Sequence, residues 1–106
     1  LRSIKLLADS VPSDVVVGAG TVLTPEEVGK VADAGGTLVV SPNMDQEVIQ
    51  KTKSLGMISL PGVFTPTEAL AALKHGADGL KAFPGEHLPP KILKAWLAIL
   101  PPDVCL

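Results

Sequence analysis

The sequence predicts an α/β fold of about four consecutive βα units with parallel strands, and three observations carry that reading. Short, almost continuously apolar runs recur at near-constant spacing, helix-capping signals stand between them, and the apolar content is aliphatic, 46% hydrophobic with only 3% aromatic. The runs are VVVGAG from Val15, TLVVSP from Thr37, MISLPG from Met57 and GLKAFP from Gly79, with starts 22, 20 and 22 residues apart. Continuous rather than alternating apolar character marks strands covered on both faces, as in a parallel sheet. Aliphatic side chains suit the layers between such a sheet and its helices.

Each element has its own signal. Leu1, Ile4, Leu7 and Ala8 make a helical stripe that precedes the first strand. After that strand, TPEEV offers Thr24 as N-cap, Pro25 at N1 where its missing N–H costs nothing, and Glu27 to close a capping box. Asp45 caps the next helix, and TPTEAL repeats the first device with Thr65, Pro66 and Glu68. Gly35 or Gly36, Gly56 and Gly76 stand just before the following strands, where a helix wants a left-handed C′ residue. The last helix, in LPPKILKAWLAIL, carries Ile92, Leu93, Trp96, Ile99 and Leu100 on one stripe, with Trp96 expected in the core. DVCL at the end reads as a further strand beginning. Both ends cut through elements and no initiating methionine is present, so residues 1–106 are expected to be one single-domain fragment of a longer protein.

Composition excludes several classes of function. A formal net charge of −2 with no block of like charges gives no electrostatic footprint for nucleic acid or an anionic membrane. No apolar run approaches a membrane-spanning length, and the amino terminus has no basic-then-apolar signal pattern. The single cysteine, Cys105, rules out an intrachain disulfide and provides no metal-ligand spacing, which fits a reducing compartment, and the cytoplasm is the default location.

A repeat near 20 residues also fits a leucine-rich solenoid, but that consensus is absent and the helices are too long. Two architectures remain, a section of a (β/α)8 barrel and an open doubly wound sheet. Both collect function on loops at the carboxyl ends of the strands. Here those loops carry Gly18, Gly20 and Thr21; Ser41, Pro42 and Asn43; Pro61 and Gly62; and Pro84, Gly85 and Glu86.

The candidate chemistry is uneven in strength. VGAGTV lacks the third glycine of a dinucleotide fingerprint, since position 23 is Leu23. It reads either as a tight βα turn or as a loop in which Thr21 offers a hydroxyl to a carboxylate. His75 sits where a helix dipole favours an imidazole, a structural place at the wrong end of the strands, while Glu86 and His87 read as exposed loop groups. Lys81 differs, because it stands in a strand between Leu80 and Ala82. Alternation puts Lys81 and Phe83 on one face. If that face is an enclosed lumen, desolvation disfavours the ammonium and leaves free amine able to attack a carbonyl. If it is not, the stem packs and the head reaches solvent or a carboxylate. The strand alone leaves both open.

VGAGTVLTPEEV, VVSPN, PGVFTPTEAL and LKAFPGE, in this order and spacing, resemble the family of 2-keto-3-deoxy-6-phosphogluconate aldolases and their 4-hydroxy-2-oxoglutarate and phosphogalactonate relatives, over nearly all of the chain. The resemblance implies a class I aldolase on a (β/α)8 barrel, a cytosolic homotrimer without metal or cofactor, cleaving a phosphorylated keto-deoxy sugar acid to pyruvate and glyceraldehyde 3-phosphate. It further implies that Lys81 is the Schiff-base nucleophile, that Thr21 binds the pyruvate carboxylate, and that Pro42 and Phe83 line the pyruvyl pocket. SPN at Ser41–Asn43, where the phosphogluconate branch tends to have SPG, leans toward the phosphogalactonate side.

The family's general-base glutamate, its carboxylate-holding arginine and its phosphate loops have no counterpart in residues 1–106. Acid–base assistance is worth about 10²- to 10⁴-fold, so these residues alone are expected to show little or no turnover. The readings that compete with an aldolase are a non-catalytic α/β module in which Lys81 binds an anion, and another phosphate-binding barrel enzyme using the lysine as a point charge.

Overall fold

A computed structural model describes all 106 residues. Helix α1 (Arg2–Ser10) is followed by β1 (Gly18–Ala19), α2 (Pro25–Asp33), β2 (Leu38–Val40), α3 (Gln46–Ser54), β3 (Ile58–Leu60), β4 (Gly62–Val63), α4 (Pro66–Lys74), β5 (Lys81–Ala82), a 3-10 turn (Gly85–His87) and α5 (Pro90–Leu97). The helices start where their side chains cap them. Thr24 and Thr65 each accept the backbone N–H three residues on at 3.2 Å, and Asp45 accepts that of Val48 at 3.0 Å. The two Thr-Pro devices differ in detail: Glu27 accepts the Leu23 N–H at 2.9 Å, whereas Glu68 accepts the Thr65 hydroxyl at 2.7 Å. Gly35, Gly56 and Gly76 all have positive φ, so Gly35 rather than Gly36 is the left-handed residue after α2.

All strand pairs are parallel. The third apolar run divides at Pro61: β3 pairs with β2, and β4 pairs with β5. Around the break, the Leu60 carbonyl accepts from Ser41 N–H on one side and the Pro61 carbonyl accepts from Lys81 N–H on the other. One strand therefore hands over from its earlier neighbour to its later one. This is the stagger that a tilted barrel strand requires, and a flat doubly wound sheet does not. Beyond β5, Gly79 bridges Cys105 in parallel and Leu80 N–H donates to the Cys105 carbonyl at 2.8 Å, so the expected strand at DVCL does begin.

The core lies between sheet and helices in two clusters. One joins Val39 to Val28 and Val31 of α2 and Val48 of α3; the other joins Val63 and Leu80 to Ala69, Ala72, Trp96 and Leu100. Fully burying a valine- or leucine-sized side chain stabilises by about 1.5–3 kcal/mol. Trp96 is in the core as expected, but Ile92 and Ile99 of the same stripe are exposed, as are Leu1 and Leu7.

The opposite face of the sheet is barely covered. Along β2 and β3, Val39 and Ser59 are buried, Leu38, Val40 and Leu60 half-buried and Ile58 exposed. Residues 1–106 thus form a section of a ring and do not close one, and the inner face stays open. The first strand is also shorter than expected. Val15 and Val16 are exposed, because β1 has a neighbour on one side only. No helix is long and apolar enough to cross a membrane.

At the amino ends of the strands, Asp78 ties three segments together. Its carboxylate accepts from Ser59 N–H and from Lys53 Nζ, each at 2.8 Å, and Lys53 also donates to the Met57 carbonyl at 3.0 Å. The last turn of α3, the start of β3 and the approach to β5 are held in one register.

Candidate active site

Lys81 opens β5, two residues after the bridge to Cys105. Leu80 is buried among the helices and Ala82 packs against the same cluster, so alternation turns Lys81 and Phe83 to the inner face. Lys81 is half-buried there. Its Nζ lies 4.4 Å from the centroid of the Phe83 ring, within cation–π distance. The two ion pairs of the chain are Lys5–Asp9 and Lys53–Asp78, so no carboxylate holds the Lys81 nitrogen. Within residues 1–106 this lysine is neither paired with a carboxylate nor enclosed in a cavity.

Gly62, registered directly opposite Lys81, is where the neighbouring loop comes close. A Cβ on Gly62 would stand 2.3 Å from the carbonyl carbon and oxygen of Pro42, and 2.8 Å from Asn43 N. Only a residue without a side chain lets the Ser-Pro-Asn loop lie against this strand. Pro42, Gly62, Lys81 and Phe83 therefore follow one another across the carboxyl edge of the sheet. Gly62 is one of the loop residues that the sequence placed at the carboxyl ends of the strands, but the close approach of Pro42 to it had no sequence signal beyond the Pro-Gly pair inside an apolar run.

Thr21 stands apart. It follows β1 with φ of 56°, the one non-glycine residue in the left-handed region, and is exposed. Such a backbone costs a β-branched residue on the order of 1 kcal/mol and persists where the surroundings impose it. Here the next residue is buried and pinned, Val22 N–H donating to the Val40 carbonyl at 3.2 Å. Thr21 lines a cavity of about 380 Å³ together with Ile4, Glu27 and Lys30, on the helix side of β1. Lys81, Pro42 and Phe83 line none of the three cavities of the chain. Thr21 thus shares the carboxyl edge with the other three but not a common pocket, because the inner face is open and encloses no volume.

Glu86 and His87 are exposed in the 3-10 turn, and His75 caps α4 through its backbone. No group of three His, Cys, Asp or Glu side chains is gathered for a metal ion. The Asp78 carboxyl titrates below its ordinary range. Burial pushes its carboxyl up, but the Lys53 hydrogen bond, the Ser59 N–H and the Lys53 charge together hold it below 3.8.

Comparison with known proteins gives the family. The family model for KDPG and KHG aldolase matches residues 1–102. A Rhizobium meliloti protein named "probable 2-dehydro-3-deoxy-6-phosphogalactonate aldolase" is 50% identical over 97% of this chain and 49% of its own length. The 2-dehydro-3-deoxy-6-phosphogalactonate aldolase of Escherichia coli is 42% identical over 99% of this chain and 51% of its own. The chain spans about half the length of the curated relatives it matches. Among solved structures, KDPG aldolase of Legionella pneumophila, with pyruvate captured at low pH as a covalent carbinolamine intermediate, superposes with a TM-score of 0.86 at 30% identity, over 97% of this chain and 50% of that one. A native KDPGal structure gives 0.93 at 43% identity, over 96% and 50%. Over that length the four βα units follow a (β/α)8 barrel, and the chain belongs to the KDPG and KHG aldolase family.

Proposed function

We propose that the complete protein carrying this chain is a class I aldolase that cleaves a 2-keto-3-deoxy-6-phospho sugar acid to pyruvate and glyceraldehyde 3-phosphate. Lys81 is its nucleophile. The amine adds to the C2 carbonyl and water leaves, giving an iminium. The C3–C4 bond then breaks and its electron pair moves into the iminium as the C4 hydroxyl proton goes to a base, so that aldehyde departs and an enamine remains. Protonation at C3 and hydrolysis release pyruvate and restore the amine. Thr21 donates its hydroxyl to the substrate carboxylate, while Pro42 and Phe83 supply apolar walls.

The observation that carries this proposal is the Lys81 nitrogen, on the inner face at a strand's carboxyl edge, bound to no carboxylate and 4.4 Å from the Phe83 ring centroid. A lysine spent on an ion pair would be stability, not chemistry. The phosphogalactonate configuration is favoured over phosphogluconate by Asn43 in the SPN loop and by the names of the two relatives above. By family resemblance the protein is a cytosolic homotrimer, and residues 1–106 alone turn over little or no substrate.

The test is steady-state cleavage of both epimeric substrates by the complete protein and by its Lys81→Arg variant. Arginine keeps the charge but stays protonated, so activity is expected to vanish. Retained cleavage in Lys81→Arg would exclude Schiff-base chemistry at this residue.

A further inference from the structure

The chain has three aromatic residues and buries one of them. Trp96 is 5% exposed, whereas Phe64 is 43% and Phe83 42% exposed. The two phenylalanines follow paired strands. The ladder runs Gly62↔Lys81, then Val63↔Ala82, and its last bond is from Phe83 N–H to the Val63 carbonyl at 3.1 Å. Phe64 and Phe83 are the residues that directly follow this ladder on its two strands. Val63 is buried against the helices, whereas Phe64, in the bend between β4 and the cap of α4, is exposed and lies outside that cluster.

Resting on the aldolase reading, we propose that Phe64 and Phe83 together form the apolar wall on which the aldehyde half of the substrate lies, making Phe64 a specificity-determining residue. The Lys81 nitrogen already sits over Phe83. A substrate carbon chain bonded to that nitrogen extends about 5 Å within three or four bonds, the spacing between neighbouring strands, which carries it from the Phe83 ring to Phe64. Rings offer flat apolar faces to the C–H side of a polyol chain while its hydroxyls remain free to bond elsewhere.

A structural role competes with this one. Phe64 precedes the N-cap Thr65, where an apolar residue packs on the first turn of a helix. The equivalent residue before Thr24 is Leu23, in the parallel stretch VLTPEEV. Leucine therefore serves that place in this same fold, and Phe64→Leu removes the ring while keeping the packing.

The experiment compares wild-type and Phe64→Leu complete protein. Three results are expected together: a melting temperature within about 2 °C of wild type, unchanged borohydride-trapped pyruvate adduct on Lys81, and kcat/KM for the phosphorylated keto-deoxy acid lower by about three- to tenfold, carried by KM. Condensation of pyruvate with glyoxylate, which has no chain to lie on the ring, stays unchanged. Equal kcat/KM in the two proteins overturns the proposal, as does a loss that tracks a lowered melting temperature or a lost adduct. Absence of any adduct on wild-type protein defeats the aldolase reading first, and the wall assignment with it.

Discussion

The Nζ of Lys81 lies 4.4 Å from the centre of the Phe83 ring, two residues along the same strand and on the same face. A cation over an aromatic face at a half-exposed site is worth about 0.5–1 kcal/mol. In a double-mutant cycle pairing Lys81→Met with Phe83→Leu, urea unfolding is expected to report a coupling of that size. Additive effects of the two substitutions would mean that the contact does not exist in solution.

Gly62→Ala is expected to be severe. The added methyl group would meet Pro42 backbone atoms at 2.3 Å, and backbone cannot step aside as a flexible side chain can. Either β4 or the Ser-Pro-Asn loop must move, at a cost of about 3 kcal/mol or more. The urea midpoint should fall sharply and the Lys81 adduct with it; an alanine variant of wild-type stability would show that this close approach is not real.

Asp78 makes stability depend on acid pH. Its folded carboxyl lies below the ordinary value of 3.8, so its contribution is complete above about pH 4 and disappears as pH falls through the lower folded value. In Asp78→Asn, which cannot titrate, the stability deficit relative to wild type should narrow as pH drops below about 4. Urea midpoints measured from neutral pH down to pH 3 check this, and a gap constant across the range would contradict the Lys53–Asp78–Ser59 tie.

The Thr-Pro caps should cost the usual amount when removed. Thr65→Ala leaves the Glu68 N–H without its 3.2 Å acceptor and is expected to lose about 1 kcal/mol. Thr65→Asn, which restores an acceptor, should recover most of it. If both substitutions weaken the fold equally, packing rather than capping is responsible.

Much of this was legible in the residues and some was not, for physical reasons. The caps at Thr24, Asp45 and Thr65 and the glycine stops are local chemistry, so spacing alone located them. The break at Pro61 was not legible: an apolar run reads the same whether its two halves pair with one neighbour or with two. The open inner face follows from the number of units, since four βα units are only a section of a barrel, and Leu38, Val40 and Ile58 are uncovered because no further element here lies over them. Lys81 stood out because a cation in an apolar strand is costly, while Phe64 did not, because an apolar residue before a helix cap draws no notice. The positive φ of Thr21 depends on how Val22 is pinned to β2, and no local rule announces it.

The most direct measurement is peptide-mapped mass spectrometry of the complete protein after incubation with pyruvate and borohydride. A reduced pyruvyl group on the peptide holding Lys81, absent from Lys81→Arg, is the predicted result. Label scattered over surface lysines such as Lys5, Lys51 and Lys91, or none at all, would contradict it.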